Sequence, residues 1–223
     1  MKTKLAFFAL ALAFAVPLTA QDWSVGVGTG PFVFGDFLER RVRIFTGEPP
    51  DVFITRVLSA GTRAGVAVDV ERRLNDRWAI RIEGTFVNAP LSLKDKDDPG
   101  SGNELNGADL DVTTFMLPVV FQINPRGAFR FHLMAGPALA FYRGNAPAGT
   151  GGEPLFEETQ SEFGGAFGGG VAWWMSERFA IEGNLTDIIT TSPFNREDFS
   201  ATVPIKIPNP HNVHTTIGVR WRF

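Results

Sequence analysis

The chain has no cysteine among its 223 residues. That excludes a disulfide framework and a lipid-modified N-terminal cysteine. Beyond residue 16 no apolar run approaches the roughly 18 residues that a transmembrane helix needs. No amphipathic helix pattern of useful length is present either. The net charge is only –3, so there is no basic footprint for nucleic acid. Lysine is scarce: five residues against 16 arginines, with two of the five in the first four positions. Arginine stays charged and forks to carboxylates when partly buried, so this bias suits ion pairs in a narrow, half-dry space.

What is present begins with an export signal. Lys2 and Lys4 form a basic head, residues 5–16 are unbroken apolar, and Leu18-Thr19-Ala20 offers a cleavage site. The expected organisation is a signal peptide over 1–20 and one domain over 21–223. After cleavage the chain either is soluble or crosses a membrane with strands.

The remaining sequence alternates with the period of two that strands impose. Eight segments have the length and alternation of membrane-crossing strands: 22–34, 60–73, 78–87, 110–123, 128–142, 162–175, 179–187 and 212–223. In the third, Trp78, Ile80, Ile82 and Phe86 oppose Arg81, Glu83 and Thr85. In the fifth, Phe129, Phe131 and Leu133 oppose Arg130, His132 and Met134. The connections alternate in length. Those at 74–77, 124–127 and 176–178 are tight and carry Asn, Asp, Pro, Gly or Ser. Those near 35–59, 88–109, 143–161 and 188–211 are long. Residues 76–84 also echo 177–183, each opening a strand after a tight turn. Short turns on one rim and long loops on the other define an up-and-down barrel rather than a sandwich.

The aromatic residues divide between the rims. Trp23, Trp78, Trp173, Trp174 and Trp221 all fall at the short-turn end. They are expected to form a girdle there, since indole is apolar with an N–H that seeks water. Phe32, Phe34, Phe86, Phe115, Phe141 and Phe163 fall toward the long loops and suggest a second girdle. The opposite faces carry charge. Arg63, Arg81, Arg130, Arg220 and Arg222 are expected inward, with Asp69, Glu71, Glu83, Glu162 and Glu182. Buried charges must pair, and Glu71 or Asp69 with Arg81, and Glu182 with Arg220, are the expected pairs. Small residues line strands one, five and six on the same side. They either make room for arginine side chains or leave a water-filled path.

Catalytic motifs are missing. Residues 26–31 are glycine-rich but lack G-x-G-x-x-G spacing and a Walker lysine. His211 and His214 do not form H-E-x-x-H, and His132 and His214 are not followed by the His-x-Ser of lipid A deacylases. No catalytic, cofactor or metal residue is therefore assigned, and no cofactor is expected. Residues 41–46 and 51–56 flank Gly47-Glu48-Pro49-Pro50 as a β-hairpin. Arg40, Arg41, Arg43 and Arg56 cluster on it; the first reading is a solvated charged loop, and the second is a grip for lipopolysaccharide phosphates.

The last eight residues complete the pattern. Ile217, Val219, Trp221 and Phe223 share one face; Thr216, Gly218, Arg220 and Arg222 share the other. The spacing of Thr216, Gly218, Trp221 and Phe223 resembles the C-terminal signal of bacterial outer-membrane barrels, which the assembly machinery reads. From residue 21 onward the chain resembles the small eight-stranded barrels of the OmpA, OmpX and OmpW type. It has one Tyr where such barrels have many, Phe taking those positions, and it ends at the barrel without a peptidoglycan-binding domain. The resemblance implies an all-β, eight-stranded antiparallel transmembrane barrel in the outer membrane, monomeric, contacting lipid, with lipopolysaccharide as a candidate partner. The expected role is structural or surface interaction, with a lumen plugged by ion pairs. A narrow porin-like channel is the alternative; a lipid-modifying enzyme and a lipocalin-like carrier rank lower.

Overall fold

The computed structural model describes residues 23–44, 52–96, 103–145, 159–194 and 205–223. The proposed signal peptide and the tip of the first hairpin lie outside these residues. The described chain is all strand and connection: β1 (Trp23–Phe34), β2 (Asp36–Ile44), β3 (Val52–Ala60), β4 (Arg63–Arg73), β5 (Trp78–Asp95), β6 (Asn103–Met116), β7 (Val119–Gln122), β8 (Phe129–Asn145), β9 (Gln160–Trp174), β10 (Phe179–Thr190), β11 (Ile205–Lys206) and β12 (His211–Arg222).

The antiparallel sheet closes on itself. Around the ring run β1, β4, β5, the collinear pair β6 and β7, β8, β9, β10 and β12, and β12 pairs back onto β1 from Ser24↔Arg222 to Phe34↔Asn212. These are the eight staves expected from the alternation. The expected fourth strand is broken at Leu117-Pro118, because proline has no N–H for the ladder. The Arg81 N–H instead donates to the Pro118 carbonyl at 3.0 Å, and the Leu117 N–H to Pro137 at 3.0 Å. Register is unchanged across the break, with Glu83↔Met116 and Ile80↔Val119 in line, so inward residues stay inward.

Each tight turn is set by a polar side chain. Asn75 Oδ1 accepts from the N–H groups of Arg77 and Trp78 at 2.9 and 3.0 Å. Asn124 Oδ1 accepts from Phe131 N–H at 2.6 Å, and Ser176 Oγ from Phe179 N–H at 3.1 Å. Gly127 closes the second turn at φ 106°, a conformation that favours glycine.

Burial is inverted relative to a water-soluble protein. Val27, Val68, Phe131, Leu133, Leu185, Ile217 and Phe163 are exposed on the outer wall, while Arg81, Glu83, His132, Glu182 and Arg220 are buried inside. The period of two explains this directly, since alternate residues face lipid and lumen.

Several expected positions are corrected by the same alternation. Phe32 and Phe34 are 4% and 8% exposed and face inward. They share the even-numbered face of Ser24 and Gly26; their place along the strand suggested a girdle, but their parity excludes it. Trp174 is 9% exposed and inward, whereas Trp173 is 43% exposed and outward. Adjacent residues on a strand cannot share a face, so the outer short-turn girdle holds Trp23, Trp78, Trp173 and Trp221.

The long-loop half of the lumen is apolar, which the expectation of a charged interior did not include. Phe32, Phe34, Phe37, Leu91, Leu110 and Tyr142 are among its buried cluster. Phe194 reaches into it from the β10–β11 connection, and Ser192 Oγ donates to the Phe37 carbonyl at 2.9 Å.

The long loops are themselves partly sheet. β2 and β3 form the expected hairpin, from Leu38↔Leu58 to Ile44↔Val52, and β11 and the outer half of β5 flank it. Glu39 ties three strands: Lys96 Nζ donates to it at 2.8 Å and Lys206 Nζ at 3.4 Å. The Lys96 hydrogen bond, helped by Lys206, holds the Glu39 carboxyl below its ordinary 4.5 against its partial desolvation. A depressed carboxylate contributes stability above its unfolded value and loses it as pH falls through the folded one. The protection of amides at β11 and the facing part of β2, relative to their intrinsic exchange rates at each pH, is therefore expected to be unchanged from pH 7 to about 5 and to fall below about 4.5, while the β1–β12 amides stay protected. Hydrogen-exchange mass spectrometry across that range checks this.

Candidate functional site: the charged layer of the lumen

The short-turn half of the lumen holds two buried guanidiniums among four carboxylates. Arg81 comes from β5 and Arg220 from β12; Asp69 and Glu71 come from β4, Glu83 from β5 and Glu182 from β10. Arg81 Nε and Nη2 donate to Glu71 Oε2 at 3.0 and 2.7 Å, and Nη2 lies 2.9 Å from Glu182 Oε1. Its contacts to Asp69 and Glu83 are longer, at 3.7 and 3.9 Å. Arg220 Nη2 donates to Asp69 Oδ1 at 2.8 Å, its Nε donates to Glu182, and its Nη1 reaches Ser24 Oγ at 3.0 Å. Arg81 and Arg220 are 1% and 3% exposed.

Glu182 bridges both arginines, and Glu71 nearly does so, with Arg220 Nη1 at 3.8 Å. The layer is thus one network, not two independent pairs. The small residues make this possible. A Cβ at Gly26 would collide with the Asp69 carboxylate and lie 3.2 Å from Arg220 Nη2. One at Gly170 would meet His132 and Asn184. At these two positions the missing side chains are replaced by charged and polar groups from other strands.

Two histidines border the surplus carboxylates. His132 Nε2 lies 2.9 Å from Asn184 Oδ1 and 3.8 Å from Glu182 Oε1. His214 is fully buried, stacks on Phe32 at 4.8 Å, and places Nε2 3.4 Å from Glu83 Oε1. The sequence pattern put His132 on the inward face without giving it a role. Ser24, His214 and Asn184 were legible only as even-numbered residues on their strands.

Two small cavities lie among these described residues. A cavity of about 20 Å³ lies beside Gly26, Asp69, Glu83, Asn184 and Thr216. Another of about 30 Å³ opens at the short-turn rim between Asn75, Gln122, Arg130, Trp174 and Arg222. Such spaces hold one or two waters.

Not every expected member joins the network. Arg130 and Arg222 stack on Trp174 at the rim, with Cζ 4.8 and 4.0 Å from the ring centre. Arg63 is exposed at the opposite end of β4. Glu162 sits near the long-loop rim, where Thr191 Oγ1 donates to it. These four lie too far along their strands to reach the layer, although their parity is correct.

The four residues expected to form a terminal signal are divided by face. Thr216 is buried in the lumen and Gly218 pairs with Gly28 across the closure. Trp221 is exposed beside Phe179, and the Phe223 N–H donates to the Trp23 carbonyl at 3.0 Å.

No protein-family model matches the chain, and no curated protein does. Solved structures do. The outer membrane protein OprG from Pseudomonas aeruginosa aligns with a TM-score of 0.56 at 12% identity, over 91% of this chain and 97% of OprG. The outer membrane protein AlkL, determined in DMPC bilayers, gives 0.56 at 11% identity over 94% and 93%. Neisserial surface protein A gives 0.53 at 11% identity over 91% and 97%. The fold is that of a small outer-membrane β-barrel. At this level of identity the likeness establishes fold alone.

Removing Arg220 leaves four buried carboxylates facing one guanidinium. Arg220→Ala is expected to destabilise the refolded barrel by about 3–5 kcal/mol. Arg126→Ala, at an exposed turn position, should change stability by less than about 0.5 kcal/mol. Urea unfolding in detergent or vesicles measures both.

Proposed function

We propose that the protein is an outer-membrane barrel with a closed lumen and a structural or surface-interaction role. The observation that carries this reading is the pair of layers filling the interior: the Arg81–Arg220 network toward the short turns, and the Phe32, Phe37 and Tyr142 cluster toward the long loops. An ion entering from either side meets a dehydrated barrier. The cavities of about 20 and 30 Å³ in the charged half are water-sized, which supports a plug over a narrow porin-like conduit.

Export and assembly are part of the proposal. Residues 1–20 direct secretion, and Thr216, Gly218, Trp221 and Phe223 present the terminal strand to the outer-membrane assembly machinery. The exposed apolar wall then contacts lipid. We read the chain as non-enzymatic and monomeric: His132 is engaged by Asn184, and His214 is buried in a stack on Phe32.

Surface interaction falls to the projecting hairpin. Arg40 and Arg56 are opposite each other in the β2–β3 register and both are exposed, with Asp95 of β5 opposite Arg56 on its other side. Like charges in directly opposed positions repel, and a lipopolysaccharide phosphate between them would relieve that repulsion.

Planar-bilayer recording tests the closed lumen. The refolded protein is expected to give no steady unitary current at any moderate voltage. Reproducible open-channel steps from the unmodified protein would favour the conduit.

A further inference from the structure

Arg130 and Arg222 stand apart from the other inward charges. Both guanidiniums lie within 5 Å of the centre of one indole, that of Trp174. Both are half-buried, and neither forms an ion pair among the described residues. Arg130 has only a 3.3 Å hydrogen bond from Nε to the Gly127 carbonyl. The neighbouring acids are already engaged. Asp76 is held by Arg73 at 2.6 Å and Arg126 at 3.6 Å. Glu71 is held by Arg81 at 2.7 Å, and Glu182, which lines the inner end of the opening, by Arg81 at 2.9 Å and by Arg220.

Two cations sharing one ring repel each other. Cation–π attraction offsets part of that repulsion and fixes both side chains in orientation. It does not neutralise them. The Gln122 carboxamide lines the same opening, and its Oε1 is buried without a hydrogen bond. Turned by half a rotation, the amide presents N–H donors instead. The mouth thus offers two guanidinium forks, a carboxamide and an apolar floor, with every nearby carboxylate committed elsewhere.

We propose that the short-turn mouth of the barrel is a binding site for an oxyanion, a phosphate or carboxylate group held between Arg130 and Arg222 over Trp174. Guanidinium matches such groups with paired N–H bonds, which an ammonium does not. The site does not require the lumen to be closed: Arg130, Arg222 and Trp174 stand at the rim of an opening whose inner end reaches Arg81, Glu182 and Arg220 of the network. Its anion arrives either as a soluble solute or as the phosphate of a lipid headgroup.

Calorimetric titration of inorganic phosphate into protein refolded in non-ionic, phosphate-free detergent tests the site. Saturable binding is expected, insensitive to added chloride at matched ionic strength. Arg222→Ala should weaken it about tenfold or more, as loss of a charge-assisted hydrogen bond predicts. Arg130→Gln is a second variant, and unchanged circular-dichroism melting establishes that each is folded. Absence of saturable binding to the unmodified protein would overturn the proposal. So would equal affinity in the folded Arg130→Gln/Arg222→Ala double variant. Repeating the titration in phosphatidylglycerol vesicles separates the sources. Retained phosphate affinity assigns a soluble anion, and its loss assigns the headgroup.

Discussion

The structure depends on closing a hydrogen-bonded sheet so that no strand edge meets lipid. Within a bilayer an unpaired backbone N–H or C=O has no water to turn to, and each costs several kcal/mol. Here the cost is avoided at the β1–β12 seam, where residues from Ser24 to Phe34 pair with residues from Arg222 back to Asn212. Once the ring is closed, alternation assigns every side chain to lipid or lumen. Val25 and Val27 go outward with Val219 and Trp221; Gly26 and Gly28 go inward with Arg220 and Gly218. The inverted burial follows from closure and period alone.

An eight-stranded ring is narrow enough for side chains to fill. The described side chains inside the ring are of two kinds. Toward the long loops, aromatic and aliphatic residues pack as in an ordinary core, with Phe194 brought in from a loop. Toward the short turns, Arg81 and Arg220 interleave with Asp69, Glu71 and Glu182. A buried ion network does not necessarily stabilise more than an apolar core of equal volume, because desolvation offsets much of the attraction. It does impose a penalty on any rearrangement that separates the partners. Here that ties β4, β5, β10 and β12 to one another across the lumen.

Much of this was legible in the sequence. The eight staves, their tight turns, the first hairpin and the faces of Arg81, Glu83, Glu182 and Arg220 follow from alternation and turn chemistry. Height along a strand and face across it are separate constraints. Trp173 and Trp174 share a height on β9, but neighbours on a strand must diverge. Phe32 and Phe34 share the height of the lipid-facing rings and have the opposite parity. Arg63, Glu162, Arg130 and Arg222 have inward parity but the wrong height, and height depends on register, which no single strand reveals. The outward extension of β5 to Asp95 was hidden by Pro90, whose register shift lets the strand continue past a residue that normally ends one.

The central claim is that the lumen is a filled core rather than a passage, and thiol accessibility measures this most directly. The chain has no native cysteine, so a single introduced thiol reports one position. Ala138 lies inside the wall with Met116, Ala166 and Ile188, and is 2% exposed. In protein refolded into vesicles, Ala138→Cys is predicted to resist a charged, water-soluble methanethiosulfonate that rapidly modifies Asp76→Cys at the exposed turn. Comparable modification rates at the two positions would contradict a filled lumen.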